Sequence, residues 1–182
     1  AHGDLESREP RLRSTAEVGD LIVIAGTLGK AACGLALLSS DDESLSASYP
    51  DLVSIQLRPV PDFALGLELA AVASSMLDVS DGLSLDAGRL ASSSNVSLNI
   101  KKELLEGYAA ILEQAAQSIN SRDFEAEPVS EWDWILHGGE DHCFLATVSP
   151  KAALPRGTKV IGEVVAKGDS DVYLSGQPLS PK

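Results

Sequence analysis

Two short acidic clusters contain the side chains in this sequence that are best suited to chemistry. In the first, MLDVSDGLSLDAG, Asp78 and Asp81 stand three residues apart, with Ser80 between them and Gly82 after them. The pair follows an apolar segment and precedes a helical pattern, so it should project from a strand end beside a helix start. Hard cations such as Mg²⁺ take carboxylate oxygens, and a helix N-terminus offers N–H groups to a phosphate. The cluster could hold a metal–nucleotide complex, or Ser80 or Asp81 could simply cap the helix.

The second cluster is LHGGEDHCF, in which Glu140 and Asp141 follow Gly138 and Gly139. Paired glycines let a backbone come close to a ligand or to a neighbouring strand. Acidic residues directly after them lie on a tight turn, from which they can reach a pocket. A purely structural turn is the alternative interpretation of this segment.

Two other patterns lack residues that the corresponding sites require. The segment GTLGK has only two residues between its glycines, and Ala31 follows its lysine, so it does not match a phosphate-binding loop. A tight turn between a strand and a helix is the better interpretation. His137, His142 and Cys143 give three candidate zinc ligands where a structural zinc site normally has four, and the paired glycines prevent a regular helical face.

Composition limits the classes of protein and of partner. The 182 residues are 44% hydrophobic and 23% charged, which is typical of one globular domain. A net charge of −13 repels nucleic acid and anionic membranes, so we expect neither as a partner. The two cysteines, Cys33 and Cys143, do not form a secreted disulfide framework, which favours a reducing cytoplasm. The longest apolar run contains Lys30 and a glycine turn, so it is not expected to span a membrane.

The elements that position these clusters follow from hydrophobic periodicity. Strands are predicted at residues 20–25, 75–79, 96–100, 143–148, 159–165 and 171–174. Helices are predicted at residues 30–39, around Phe63, Leu67 and Ala70, from Leu83 to Ala91, at 103–119, and from a Ser130–Asp133 capping box through Leu136. Residues 39–50 are predicted to form an acidic surface loop. Strands and helices intermix, which indicates one α/β or α+β domain with a mixed sheet.

Four segments together resemble the thiamine-monophosphate kinase family, in order and in approximate spacing. They are LRST-AEVGDLIVIAGTLGKAACGLALL, LRPVP, LDVSDGLSLDAGRLA and HGGED. The chain from about Arg11 to about Gly176 resembles the C-terminal domain of that family, which belongs to the aminoimidazole ribonucleotide synthetase superfamily. The resemblance implies an α+β fold, a mixed sheet with packed helices. It also implies that residues 1–18 connect to a missing N-terminal ATP- and metal-binding domain, and that residues 19–182 form the C-terminal domain.

The function implied by the resemblance is ATP-dependent phosphorylation of thiamine monophosphate to thiamine diphosphate. It implies ATP as co-substrate, Mg²⁺ as cofactor, a cytoplasmic location and a homodimer of the full-length protein. The 182-residue chain alone is expected to be inactive, because the missing domain supplies most metal ligands. Two alternatives stay open: a sibling ATP-using enzyme (aminoimidazole ribonucleotide synthetase, selenide water dikinase or a hydrogenase maturation factor), and a non-catalytic binding domain on the same fold.

The resemblance also implies roles for five residues. Asp78 and Asp81 match magnesium ligands, Arg13 matches an arginine that contacts ATP, Ser80 matches a nucleotide contact, and Glu140 matches a substrate contact. The chain departs from the family pattern at two places: His142, Cys143 and Phe144 stand where Tyr-Glu-Leu is usual, and Thr15 stands where glycine is common. These departures concern substrate geometry more than reaction type.

Overall fold

A computed structural model describes Leu5 and residues 8–40, 42–122 and 127–181. The strands are β1 (Leu21–Ala25), β2 (Ala73–Val79), β3 (Val96–Ile100), β4 (Cys143–Val148), β5 (Lys159–Ala166), β6 (Val172–Leu174) and β7 (Gln177–Pro178). The helices are α1 (Lys30–Leu38), α2 (Glu43–Ser48), α3 (Pro50–Leu57), α4 (Phe63–Val72), α5 (Leu83–Ser94), α6 (Lys102–Asn120) and α7 (Glu131–His137). In these ranges, no helix is long and apolar enough to cross a membrane.

The strands form one mixed sheet in the order β2-β4-β1-β5-β3-β6-β7. The β3–β6 pair is parallel, and the other pairs are antiparallel. The predicted α+β class with a mixed sheet is therefore confirmed. Strands β2 and β4 lie side by side in antiparallel register, with Asp78 opposite Phe144 and Val79 opposite Cys143. This pairing brings the end of β2 beside the start of β4, and thus brings the two acidic segments together.

The sheet packs a large core on one face and a small one on the other. Alternate residues of β1 divide between them: Ile22 and Ile24 belong to the large core, and Val23 and Ala25 to the small one. Helices α1, α5, α6 and α7 contribute to the large core through buried leucines, alanines and aromatic side chains. Helix α4 contributes Leu69 and Leu65 to the small core. The small core lies between β1, β2, β4 and this helix.

The prediction of a surface loop at residues 39–50 was wrong, because helices α2 and α3 begin in this segment. The Asp42 side chain caps α2 by accepting a hydrogen bond from Ser44 N (2.9 Å), and Pro50 occupies the first turn of α3. Helix α3 packs closely on α1 at Gly34, where a side-chain carbon would lie 2.3 Å from Leu52 O. Acidic and serine residues suggested a solvated loop, but here they begin short helices that a neighbouring helix stabilises.

The other predicted elements are confirmed within a few residues, and the short β7 was not predicted. Ser130 is the N-cap of α7, and its side chain accepts a hydrogen bond from Trp132 N (3.2 Å), which confirms the Ser130 half of the predicted capping box. The GTLGK segment is a turn between β1 and α1, and Gly29 has a positive φ of 79° that glycine adopts without strain.

The segment before β1 lies along the outer edge of β2. Met76 N donates a hydrogen bond to Leu12 O (3.4 Å), and the Thr15 hydroxyl donates one to Ser74 O (2.7 Å). Arg11 Nε donates to Ala70 O near the C-terminal end of α4 (2.8 Å). Unpaired edge groups of a sheet need such cover, and this segment provides it for β2.

Candidate functional site

The first acidic loop, Ser80–Gly82, is held by a buried carboxylate in the helix that follows it. Asp86 is 3% exposed and accepts hydrogen bonds from Ser80 N (3.0 Å) and Asp81 N (2.9 Å). The alternative interpretation, in which Ser80 or Asp81 simply caps α5, was wrong, because α5 has no side-chain cap hydrogen bond. Gly82 is the N-cap residue, with a φ of 114°, and the first-turn carboxylate of Asp86 reaches back to the loop instead.

Arg89 joins the two carboxylates of this loop region. Its guanidinium lies 2.5 Å from the Asp81 carboxylate and 2.7 Å from the Asp86 carboxylate. Hydrogen bonds to Asp81 and then to Asp86 raise the pKa of Arg89 above its ordinary value. The Asp86 side chain is buried, so this ion pair offsets the cost of placing its charge in the interior. The Asp81 side chain is half exposed and remains open to solvent on one side.

Asp78 lies on β2 just before the loop and is exposed. It lines a groove of about 460 Å³ together with Arg11, Phe63, His142 and Phe144. The two phenylalanine rings are tilted by 57°, with centroids 6.2 Å apart. Within the described ranges, the Asp78 side chain makes no hydrogen bond or ion pair, so its carboxylate is available to a ligand.

The second acidic loop, Gly138–Asp141, is anchored by its own last residue to a distant part of the chain. Asp141 is 7% exposed, and its carboxylate accepts four hydrogen bonds at the start of α1. The donors are the Thr27 hydroxyl (2.9 Å) and the N–H groups of Gly29 (2.7 Å), Lys30 (3.2 Å) and Ala31 (3.4 Å). Burial raises the pKa of Asp141, while these hydrogen bonds act in the opposite direction. The helix start in GTLGK is therefore occupied by this carboxylate.

The two acidic loops contact each other through their backbones. Glu140 N donates a hydrogen bond to Ser80 O (2.9 Å), and a side-chain carbon at Gly139 would lie 2.5 Å from the same oxygen. The paired glycines thus allow a close approach, as the sequence suggested, and the neighbour is the other acidic loop. The Ser84 hydroxyl adds a side-chain hydrogen bond to His137 Nδ1 (2.8 Å) at the base of both loops.

Glu140 has an exposed side chain on an uncommon backbone conformation. Its φ is 69°, and that of His142 is 48°. Non-glycine residues rarely adopt such values, and they persist where the surrounding structure enforces them, often at functional sites. The His142 ring lies 3.3 Å from the Glu140 carboxylate and also lines the groove beside Asp78. His142 thus lies between the groove that contains Asp78 and the Glu140 side chain of the second loop.

Arg13 lies apart from this group, in a separate cavity of about 680 Å³. Ser84, Arg89 and Asp171 line the same cavity, so Arg89 links it to the acidic loops. The structure therefore brings Ser80, Asp81 and Glu140 together and places Asp78 in the adjoining groove. The residues that anchor the loops, Asp86, Arg89 and Asp141, were not identified from the sequence in that role, although Asp86 and Arg89 have the i,i+3 spacing of a helical ion pair.

The donor chemistry of the loops fits a hard cation, but the ligand set that this chain offers is small. Carboxylate oxygens of Asp78 and Asp81 suit Mg²⁺, which usually takes one or two carboxylates beside water and phosphate oxygens. Among the described residues, no group of three or more acidic, histidine or cysteine side chains is arranged to hold a metal ion. Further ligands would have to come from substrate, water or another part of the protein.

The two thiols are not suited to metal binding. Cys33 and Cys143 are both buried. Burial, with Asp141 nearby, raises the pKa of Cys33 to about 12, and burial also raises the pKa of Cys143. Both therefore stay protonated at neutral pH, whereas metals bind the thiolate.

Curated relatives support the resemblance seen in the sequence. No protein-family model matches the chain. The chain is 35% identical over 179 residues to the thiamine-monophosphate kinase of Mycobacterium tuberculosis strain H37Rv; the match covers 97% of the chain and 49% of the relative. The thiamine-monophosphate kinase of Escherichia coli K12 is 34% identical over 156 residues, which is 84% of the chain and 45% of the relative. The chain thus spans about half the length of the curated relatives it matches.

Solved structures agree with the fold. The crystal structure of thiamine-monophosphate kinase from Stenotrophomonas maltophilia K279a superposes with a TM-score of 0.72 and 30% identity, covering 93% of the chain and 54% of that protein. A ThiL structure complexed with AMPPCP and TMP gives a TM-score of 0.70 and 28% identity, covering 93% of the chain and 52% of that protein. The predicted resemblance to thiamine-monophosphate kinases, and the fold that it implied, are therefore confirmed.

Proposed function

We propose that the protein containing this chain is a thiamine-monophosphate kinase, which transfers the γ-phosphoryl group of ATP to thiamine monophosphate and gives thiamine diphosphate. Similarity to such kinases along 97% of the chain supports the assignment. The observation that carries it is the contact between the acidic loops, in which Glu140 N binds Ser80 O. This contact places a candidate substrate residue, Glu140, directly beside the candidate nucleotide and metal residues Ser80 and Asp81.

The chemistry of the reaction explains why carboxylates surround an anionic substrate. The acceptor is a phosphate whose oxygen is already ionised near neutral pH, so no strong general base is needed. The difficulty is repulsion between two anions, and catalysis then depends on positioning and on charge neutralisation. A chain with a net charge of −13 repels phosphates, but its carboxylates attract a cation that phosphates also bind. Mg²⁺ bound in this way would neutralise the developing charge on the phosphates.

Asp78 and Asp81 are the residues that would hold this cation. Asp78 lies at the strand end, and its carboxylate makes no hydrogen bond or ion pair to the residues that the structure describes. Oδ2 of Asp81 is engaged by Arg89, whereas Oδ1 has no such partner in the part of the chain that the structure describes. Asp86 holds the loop backbone, and Arg89 holds the Asp81 carboxylate, so together they set the direction in which Asp81 points. The positioning is built in before any ligand arrives, which is what electrostatic catalysis requires.

Substrate contacts are proposed for three further residues. Glu140 would bind the cationic thiazolium or the pyrimidine amine of thiamine monophosphate, because its carboxylate is exposed beside the loop contact. Ser80 would contact the nucleotide, and Arg13 would contact ATP from the neighbouring cavity that Arg89 also lines. The ThiL complex with AMPPCP, an ATP analogue, and TMP supports a site for both substrates in such proteins.

The rest of the full-length protein completes the proposal. An N-terminal domain, joined through residues 1–18, would supply most of the metal ligands and form a homodimer. The relatives are about twice as long as the matched part, which leaves room for such a domain. We place the kinase in the cytoplasm, where ATP and Mg²⁺ are available.

A coupled assay of ADP release tests the function. The full-length protein should release ADP with ATP, Mg²⁺ and thiamine monophosphate, and much less when selenide or a precursor of aminoimidazole ribonucleotide replaces the thiamine substrate. The 182-residue chain alone should release almost none. ADP release that depends on one of the other acceptors would assign a sibling activity instead, and binding without turnover of any acceptor would indicate a non-catalytic domain.

A further inference from the structure

We propose that the outer face of helix α4 is a docking surface for the half of the full-length protein that lies outside this chain. The proposal rests on the proposed function only in so far as that function requires a longer protein. The surface consists of the exposed α4 residues Phe63, Ala64, Leu67 and Ala71, with Val60 just before the helix.

Helix α4 is apolar on the side that faces away from the small core, and Phe63 at its start also contacts Phe144 at the border of the groove beside Asp78. In the sequence FALGLELAAV, Glu68 is the one charged residue. The exposed positions Phe63, Ala64, Leu67, Glu68 and Ala71 share one arc of the helix, because they follow i, i+1, i+4, i+5 and i+8 spacing. A helix at a protein surface normally presents polar residues on this arc, whereas one that is apolar all round is normally covered on both sides.

The inner side of α4 is already in contact with the sheet, so the outer arc cannot be buried by a simple rotation of the helix. Leu69 is fully buried, and Leu65 packs in the small core. At Gly66 the helix approaches β4 so closely that a side-chain carbon would lie 2.5 Å from the Phe144 ring. Rotation would move these contacts into solvent. The outer arc is thus a second apolar side.

The exposed side chains on this face are large and adjacent. Leu67 is 57% exposed, Phe63 is 67% exposed, and Val60 is 82% exposed. Single exposed apolar residues are ordinary, but a contiguous group on one helix face is typical of an interaction surface. The surface includes no lysine or arginine, so it offers no positive charge to nucleic acid or to an anionic membrane.

The half of the protein outside this chain is the occupant that the observations favour. The curated relatives that match this chain are about twice as long as the matched part. The segment that leads into the domain lies against α4 and β2, since Arg11 Nε binds Ala70 O and Leu12 O accepts from Met76 N. A domain that precedes this segment would therefore be joined at the border of the α4 face, close enough to cover the helix.

The rate of cysteine labelling measures how accessible this face is, and it can be compared between the 182-residue chain and the full-length protein. Cys33 and Cys143 are buried and should react slowly with a maleimide under native conditions. Leu67→Cys places a thiol on the α4 face, and Ile111→Cys places one on α6, where the wild-type side chain is 49% exposed. We expect Leu67→Cys to be labelled rapidly in the 182-residue chain and at least about tenfold more slowly in the full-length protein, whereas Ile111→Cys should be labelled at similar rates in both.

Three results would overturn the proposal. They are equal labelling of Leu67→Cys in the two proteins, equal slowing at both positions, and protection in the short chain that increases with its concentration, which would show that a second copy covers the face. The ADP-release assay on the wild-type full-length protein is independent of these rates. Protection without kinase activity would leave the docking surface in place and reject the proposed function, and kinase activity without protection would do the reverse.

Discussion

The two acidic loops use the same device, a buried aspartate that binds backbone N–H groups, at very different distances along the chain. Asp86 holds Ser80 and Asp81, which lie six and five residues before it, respectively. Asp141 instead holds the start of α1, more than a hundred residues away. A cation, Arg89, pairs with Asp86. The group around Asp141 consists of a hydroxyl and N–H donors, and burial raises the pKa of Asp141.

Asp86 is therefore a local anchor, which holds residues near it in the chain, and Asp141 is a tertiary anchor, which holds residues far from it. Loss of Asp86 should loosen one loop, whereas loss of Asp141 should detach the second loop from β1 and α1 and weaken the fold as a whole. In both loops the carboxylates proposed to act on ligands are the exposed ones, Asp78, Asp81 and Glu140. Burial thus separates the carboxylates that anchor the loops from those that we propose to bind ligands.

Removal of Asp141 should have the largest effect on stability. Asp141→Ala leaves the N–H groups at the start of α1 without an acceptor, and we expect the free energy of unfolding to fall by about 3 kcal/mol. Urea unfolding followed by circular dichroism measures this change. Asp141→Asn, which keeps one acceptor oxygen, should lose less. A loss below about 1 kcal/mol in Asp141→Ala would show that the anchor is not structural.

The same residue gives a pH dependence of defined sign. Burial holds the pKa of Asp141 above its ordinary value of 3.8, so folding takes up a proton just above that pH. The contribution of Asp141 to the free energy of unfolding should therefore fall as the pH rises from about 4 through the folded-state pKa, and then stay constant. The difference between wild type and Asp141→Asn, measured across this range, isolates that contribution; the opposite slope would contradict the assigned cause.

Substitution of the exposed pair should have the next largest effect, and it should appear in turnover. Asp78→Asn and Asp81→Asn in the full-length protein should each slow ADP release by about 10²-fold, because charge neutralisation at the phosphates is weakened. Excess Mg²⁺ should restore part of the rate by mass action. Melting temperatures should stay near that of wild type, since Asn is nearly isosteric. A wild-type rate in both variants would remove these residues from the metal site.

Asp86→Asn should have a smaller and more local effect on stability. The asparagine amide cannot satisfy two backbone donors and Arg89 together, and we expect a loss of about 2 kcal/mol. Hydrogen exchange should show faster exchange at Ser80 and Asp81, with little change in α1. Asp81→Asn is the matched control, because it removes the exposed partner of the same arginine. Equal loosening of α1 in Asp86→Asn would contradict the distinction between local and tertiary anchors.

Glu140→Gln should change stability least, by less than about 0.5 kcal/mol, because the side chain is exposed. In the full-length protein it should raise the KM for thiamine monophosphate while leaving that for ATP nearly unchanged. Steady-state rates against each substrate measure both constants. A change confined to ATP would reassign Glu140 to the nucleotide.

Much of the site could be predicted from the residues, and the missing part has a clear physical cause. The strand end before Asp78, the glycine-rich turn before Glu140 and the helix at Leu83 follow from local periodicity and turn residues. The roles of Asp86 and Asp141 did not, because a carboxylate in a sequence shows neither its burial nor its donors. The assignment of Ser80 or Asp81 as a helix cap failed because α5 begins one residue later: Gly82 is its N-cap, and the Asp81 carboxylate pairs with Arg89.

Local patterns in the sequence predict the alternation of strands and helices, an α/β or α+β domain with a mixed sheet, and the positions of both acidic segments, because each depends on residues close together in the chain. The contact between these segments depends on tertiary structure. Antiparallel pairing of β2 with β4 sets Asp78 opposite Phe144, and the glycines before Glu140 then allow its N–H to reach Ser80 O. Tertiary structure also decided that residues 39–50 contain helical turns, since short polar helices are stable only against a neighbour such as α1. Contacts between residues far apart in the chain leave no periodic signal, and for that reason only the folded structure shows them.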